Sequence, residues 1–461
     1  MIDMAAFPNR LSDVPWAPGR LPGIGHARQL ITDPLPFVRS LPKYGPVVKV
    51  GMGPRPLYMA TTIELVREVG LGRAGEFHRD NLIEPVAPFT GRSLVTLSGS
   101  DHRRRRRLIA PAFHRNRIAV YAQSFAEIAD RWLDTLPVGT PFDATPFVEK
   151  LAIDTLMASL IGADIGADAR SVLSAKSPEL LAEASIRTIF PVAVAELRRS
   201  SHRRFLDTSA RMRAEAKNVV AEYRHNGSDR GDLLSTLVTH VDPGTGESLG
   251  DEDIVDELVG FVMGGIESPA GMLLAFLHEL THAPSALSEV IDEIDDVVGS
   301  GPVEASHATA LPVTRRALME TMRLWTSWIT LLDARGEIRL GDLVLPDGVQ
   351  IGMSPQAIHS DPRNFPRPTS FEPHRWLPGH ESEARDTAAI PFGVGVRNCP
   401  ADLYSWSALT IQAAAILRRF VPVAEDGGAP RTAVGYTTKG VGIRPNSVRI
   451  SLFPRGARPA R

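Results

Sequence analysis

Apolar residues recur at spacings of three and four through YAQSFAEIADRWLDTL, AEAKNVVAEYRHN and PSALSEVIDEIDDVVG. Each stretch therefore predicts a helix with one buried face. This helical period dominates from about Thr62 to Leu324. Strand signals are shorter. VVKVGMGPRPLYMA, residues 47–60, reads as a β-hairpin around a Gly/Pro turn. Small alternating pieces between Glu337 and Ile351, separated by Gly and Asp, read as further strands. Residues 1–46 form a Pro- and Gly-rich lead-in with one short helix, and a Pro-rich loop spans 360–380. A last helix is predicted from about Leu403 to Phe420, followed by short strands. No segment repeats another, and no linker divides the chain. The pattern predicts one domain over residues 1–461, mainly α with a small β subdomain.

One predicted helix, residues 251–282, is unusually apolar between Ile254 and Leu280. Asp256, Glu257 and Glu267 interrupt it, which argues for a core helix and against a membrane span. Composition agrees: 461 residues, 43% hydrophobic and 23% charged, are ordinary for a globular protein. A net charge of −2 creates no field that would draw nucleic acid or an anionic membrane. The start, MIDMAAFPNR, has no basic segment followed by a long apolar one, so no signal peptide is expected. The single cysteine excludes an internal disulfide and suits a reducing compartment. The expectation is a soluble, cytoplasmic protein.

That cysteine, Cys399, lies in PFGVGVRNCPADLYSW, residues 391–406. It could be a small buried apolar residue, a nucleophile or a metal ligand. A structural zinc site is disfavoured because no second cysteine exists. One axial thiolate on haem iron needs only one. The neighbours favour the last reading. Gly393 and Gly395 let backbone approach a flat cofactor, and Arg397 suits a carboxylate. Pro400 and Ala401 open a helix, whose N-terminal dipole favours a thiolate. A buried structural cysteine requires none of these.

FGVGVRNC resembles the haem-binding loop of the cytochrome P450 family, Phe-Gly-x-Gly-x-Arg-x-Cys-x-Gly. It matches at Phe392, Gly393, Gly395, Arg397 and Cys399, and departs at Ala401. The resemblance implies haem b with Cys399 as axial ligand, the loop 391–401 beneath it, and the 251–282 helix on the oxygen side. Three further segments fit. In GFVMGGIESPAGMLL, Gly264, Gly265 and Glu267 match the oxygen-side helix, with Ser268 where the family usually has Thr. Glu267 and Ser268 are then the implied proton relay. Pro269 lacks a backbone donor, so the helix is expected to kink or open there. ETMRL and FEPHRW supply Glu320, Arg323 and Arg375, the implied buried charge network behind the loop. In HRRRRRLIAPAFH, His102 and Arg106 match the family's propionate-binding pair. The other arginines of that run are expected to face outward, where an acidic electron donor docks. One departure stands out: Leu332 occupies the place of a further propionate-binding Arg, and Arg335 is nearby.

The resemblance implies a monooxygenase that uses O2 and electrons from a ferredoxin-type partner with its NAD(P)H reductase. NLIEPVAPFTGRSLVTL, GFVMGGIE, WTSWITLL and AVGYTTKGVG, expected over the haem, are largely apolar and suit a hydrophobic small molecule. The lead-in and the arginine-rich segment are similar to terpene-hydroxylating bacterial members, which implies a terpenoid or related metabolite. Three alternatives stand beside this reading. A peroxide-driven peroxygenase would use the same site. A non-catalytic haem protein would have little need of Glu267 and Ser268. HELTH, His278–His282, fits the His-Glu-x-x-His zinc hydrolase pattern.

Overall fold

The computed structural model describes residues 8–52, 55–162, 165–175, 177–189, 199–226, 229–379, 388–438 and 442–455. The Gly/Pro turn at 53–54, part of the AVGYTTKGVG segment and the basic tail beyond 455 lie outside these residues.

The architecture is built around the helix Asp251–Thr281, 31 residues long. Asp251, Glu252 and Asp253 fill its first turn, where the helix dipole favours acids. Against it pack the helices Thr145–Leu160, Arg199–Asn226, Pro312–Trp325 and Asp402–Arg419. Leu151, Leu258, Phe276 and Ile411 belong to the single large core these helices share. Among the described residues this is the one helix long and apolar enough to cross a membrane, and most of its apolar stretch is buried by protein.

A second apolar cluster lies under a five-stranded sheet. Its order is Val47–Met52, Arg55–Ala60, Gln350–Met353, Thr330–Ala334, Phe77–His78. Only the pairing of Arg55–Ala60 with Gln350–Met353 is parallel. The sheet thus joins the start of the chain to the segment just before the cysteine loop, and Tyr58, Phe77, Leu332 and Phe365 fill the space beneath it.

Two expectations change. Helix dominates from Thr62 to Trp325, but Phe77–His78 and Phe142–Asp143 pair as strands, too short at two residues to show a period. The long helix runs unbroken through Pro269 instead of opening there. The buried neighbours Ile266, Ala270 and Leu273 hold both halves in line through the large core, so tertiary packing outweighs the missing backbone donor.

Candidate functional site

The cysteine loop is shaped by its own backbone. Gly393 and Gly395 both take positive φ, 80° and 73°, which favours glycine. They differ in surroundings. A Cβ at Gly395 would overlap the carbonyl oxygen of Gly70, whereas one at Gly393 would meet nothing closer than 3.8 Å. The close approach at Gly395 is therefore to the protein's own backbone, and Gly393 borders open space. The amide of Cys399 donates to the Phe392 carbonyl at 2.8 Å and closes the loop. Cys399 is a half-buried free thiol, one turn before the helix Asp402–Arg419. Burial pushes its pKa up, while a hydrogen bond from the Ala401 backbone and the charge of Arg106 oppose that rise.

Next to the loop lies a concentration of positive charge. Arg397 donates to the Leu97 carbonyl and to Ser98 Oγ, both at 3.0 Å. The same Ser98 Oγ accepts from the Arg79 amide at 2.9 Å, and Arg79 Nη1 reaches the Val95 carbonyl at 3.3 Å. His102, on the helix Gly99–Ile109, is buried, and its imidazole makes no hydrogen bond among the described residues. Burial and the charges of Arg397, Arg79, Arg106 and Arg103 push its pKa down to about 3. Arg79 and Arg397 are each lowered to about 10, chiefly by burial. No carboxylate bonds to Arg79, His102 or Arg397 among the described residues; the nearest acid acting on Arg397, Asp80, pairs with Arg335. Buried cations need counter-charge. This donor set is short of anions, and a flat cofactor carrying two carboxylates fits it.

Arg106 has partners in the loop itself. Both of its terminal amino groups go to Asn398, to the carbonyl at 2.7 Å and to Oδ1 at 2.9 Å. It braces the residue before the thiol. The protein supplies acceptors there, whereas no acceptor bonds to the His102 ring among the described residues.

On the long helix, Gly264 and Gly265 also separate. A Cβ at Gly264 would meet nothing within 4 Å, while one at Gly265 would lie 2.7 Å from Leu156 Cδ1. Gly265 thus serves helix packing. Gly264, Glu267 and Ser268 fall three and four apart on one face and border that open side. Both Glu267 and Ser268 are half-buried.

Behind the loop, Glu320, Arg323 and Arg375 meet. Arg323 donates to both Glu320 oxygens at 3.0 and 2.8 Å, and Arg375 Nε reaches Oε1 at 2.9 Å. Trp376 Nε1 and the Glu372 amide add two more donors, each at 3.0 Å. Arg323 also caps the carbonyls of His359, Pro368 and Ser370. His359, fully buried, completes the path: Nδ1 donates to the Arg323 carbonyl, and Nε2 accepts from the Ile390 amide at 3.1 Å, at the entrance of the cysteine loop. Sequence reasoning missed His359; only its place in AIHSDPRNFPRP hinted at it.

The family model described as Cytochrome P450 matches residues 15–450. The chain belongs to the cytochrome P450 family. Cyclooctatin synthase of Streptomyces melanosporofaciens is 32% identical over 407 residues, covering 88% of this chain and 89% of its own. Pentalenene oxygenase of Streptomyces avermitilis is 29% identical over 445 residues, covering 95% and 97%. The crystal structure of the cytochrome P450DA heme domain superposes with a TM-score of 0.83 at 22% identity, covering 96% and 98%, and shows the shared fold. This P450 is a monooxygenase of a haem-thiolate family, and the chain has a cysteine, Cys399, to offer as the thiolate. Like other P450 monooxygenases it needs O2 and a redox partner and acts on a hydrophobic substrate.

Two other expectations are corrected. In HELTH the side chains of all three residues already have partners. His278 Nε2 faces the Arg431 carbonyl at 3.0 Å, and His282 Nε2 meets Asp426 at 2.6 Å. Glu279, fully buried, accepts from Trp325 at 2.8 Å and Arg431 at 2.9 Å. The segment ties the end of the long helix to residues 426–431, and neither ring is free to converge on zinc. The arginine run likewise fails to face outward as a block. Arg105 is buried between Glu257 and Asp253, and Arg104 and Arg107 pair with Glu247, Arg107 also with Asp242. Of the residues beyond His102 and Arg106, Arg103 alone stays exposed with no ion pair among the described residues. Acids from the long helix and the turn before it neutralise the rest.

Leu332 is buried in the strand Thr330–Ala334. It lines a cleft shared with Gly70, Arg79, Thr330, Gly393 and Arg397. Arg335 points away, to Asp80.

Proposed function

We propose that this P450 hydroxylates a terpenoid or similar apolar metabolite, working as one catalytic domain over residues 1–461. Haem b ligated by a thiolate would supply activation of O2 and insertion of one oxygen atom into an unactivated C–H bond. Cys399 would be the axial ligand, with the Phe392–Arg397 turn holding its backbone in place. His102 and Arg397 would hold the haem carboxylates, and Arg106 would steady the thiolate loop through Asn398. Glu320, Arg323 and Arg375 would fix that loop from behind, through His359. Gly264 would leave room beside the long helix, and Glu267 and Ser268 would pass protons inward. The open space beside Gly264, on a mostly apolar helix, would suit a hydrophobic substrate held by shape.

The observation that carries this reading is the set of Arg79, buried His102 and Arg397 beside the cysteine loop, none of them bonded to a carboxylate among the described residues. The names of the relatives, cyclooctatin synthase and pentalenene oxygenase, support the substrate class. A ferredoxin-type donor with its NAD(P)H reductase is the proposed electron source, and the cytoplasm the proposed location. The test is a panel of cyclic terpenes added to purified holoprotein. A substrate-induced spin-state change in the haem spectrum, followed by a hydroxylated product with a surrogate ferredoxin system, is expected for at least one. Uniform indifference to terpenes, with a response to another chemical class, would overturn the substrate proposal.

A further inference from the structure

The loop 91–97 is pinned to the long helix on both sides of Ser93. The Arg92 amide donates to Asp256 Oδ2 and the Leu94 amide to Glu257 Oε1, each at 2.8 Å. Both carboxylates also pair with arginines, Asp256 with Arg213 and Glu257 with Arg105. Ser93, between the two pinned residues, is fully buried. Its side chain lies against the long helix one turn further on. A Cβ at Gly260 would meet only Ser93, its Cβ at 3.4 Å and its Oγ at 3.6 Å. Yet Ser93 Oγ is buried with no hydrogen-bond partner among the described residues.

We infer that Ser93 binds substrate, its hydroxyl reading an oxygen that the substrate already carries, a hydroxyl or a carbonyl group. This deepens the terpenoid reading above and rests on it. Three observations carry it. First, Gly260, Gly264 and Ser268 are spaced by four and share one face of the long helix. A Cβ at Gly264 would meet nothing within 4 Å. A bare strip of helix therefore leads from Ser93 past open space to Ser268, about 12 Å along the axis at 1.5 Å per residue. Second, packing does not call for the hydroxyl. Ala would fill the same place against Gly260, whereas a buried hydroxyl left unpaired is costly. A hydroxyl both donates and accepts, so a ligand alcohol or ketone oxygen removes that cost. Third, the two pinned amides fix Ser93 before any ligand arrives, so little ordering is left to oppose binding. An oxygen anchored at Gly260 would leave the far end of the same apolar skeleton beside Ser268. A substrate of this kind must be supplied by an earlier hydroxylation, or by a cyclisation that ends with capture of water.

The experiment titrates wild-type and Ser93→Ala holoprotein with matched ligands, cedrol against cedrane and borneol against bornane, and follows the spin state of the haem. The quantity read is the ratio of the two dissociation constants within a pair, which cancels effects common to both members. Loss of one neutral hydrogen bond is expected to move that ratio about three- to tenfold against the alcohol in Ser93→Ala, for at least one pair. Ligand-free Ser93→Ala should melt at or above the wild type, because an unpaired hydroxyl has gone from the interior. Should Ser93→Ala yield no soluble holoprotein, Ser93→Cys, which keeps the size and weakens the donor, is read in the same way. An unchanged ratio in both pairs would overturn the inference and assign the Ser93 hydroxyl to water alone. A clear fall in melting temperature without ligand would overturn it too, since the hydroxyl would then have a partner inside the protein. No response to any of the four ligands would also overturn it, and the wider terpene panel then decides separately whether the substrate reading stands.

Discussion

Two groups of arginines flank the cysteine loop, and they are built on opposite terms. Around Glu320, each charged group finds a protein partner: Arg323 and Arg375 share one carboxylate, and backbone carbonyls of His359, Pro368 and Ser370 take further donors. Around Ser98, Arg79, His102 and Arg397 gather with no carboxylate bonded to any of them among the described residues. The first group is complete as protein and holds the loop's position. The second is complete only with an anion from elsewhere. The same residue type thus separates scaffold from cofactor site by whether its counter-charge is built into the chain.

The comparison breaks most sharply at Glu320. Its removal leaves Arg323 buried without a carboxylate and takes one of the two acids of Arg375, which keeps Glu372 at 3.2 Å, at a cost of about 3–5 kcal/mol. Glu320→Ala should therefore give little soluble holoprotein, read as yield and melting temperature. Melting unchanged from wild type would show that the two clusters do not differ as argued. Removing a cation from the other cluster should act in reverse. Arg397→Ala should preserve solubility better than Glu320→Ala while lowering haem content at equal protein.

Acid sharpens the contrast. His359 and His102 are both pushed down to about 3 in the folded protein, chiefly by burial, against 6.5 for the free side chain. The unfolded chain then binds more protons, so stability is full above about pH 6.5 and is lost as pH falls from there towards 3. Carboxylates delivered by haem would offset the shift at His102 and leave that at His359 in place. Holoprotein should consequently lose less stability than apoprotein between pH 6.5 and 5, measured by denaturant unfolding. Equal losses would mean that no anion reaches His102.

The smallest expected effect is at Ser268. Its hydroxyl lacks the methyl that limits Thr rotamers. Ser268→Ala should lower product formed per NAD(P)H consumed and raise peroxide release, with haem content unchanged. Unaltered coupling would leave proton delivery to Glu267 and water alone. A wild type that used peroxide well and reductant poorly would favour the peroxygenase alternative, with Pro269 the next residue to vary.

Much of this was legible in the sequence where the requirement is local. The cysteine loop shows itself because two positive-φ glycines, an arginine and a thiol fall within seven residues. Glu320 and Arg323 are one helical turn apart, so their meeting follows from periodicity. Other features depend on partners distant in sequence. Arg79 and Arg397 share Ser98 Oγ only after folding, and nothing around Arg79 announces it. His359 joins Arg323 to Ile390 across two loops. The run HRRRRR gave no means of choosing a buried face, because identical residues carry no period. Arg105 is selected by Glu257 and Asp253, from a helix about 150 positions away. At Pro269 local propensity predicts a kink or opening, and the helix nonetheless continues through it.

The central claim, that Cys399 provides the thiolate for a haem held among these cations, is tested most directly by the reduced carbon monoxide spectrum of the purified protein. The account predicts one haem per chain with the red-displaced band of thiolate ligation, and loss of that band in Cys399→His even where haem is retained. A histidine-type band in the wild type, or protein that takes up no haem from a supplemented culture, would contradict it.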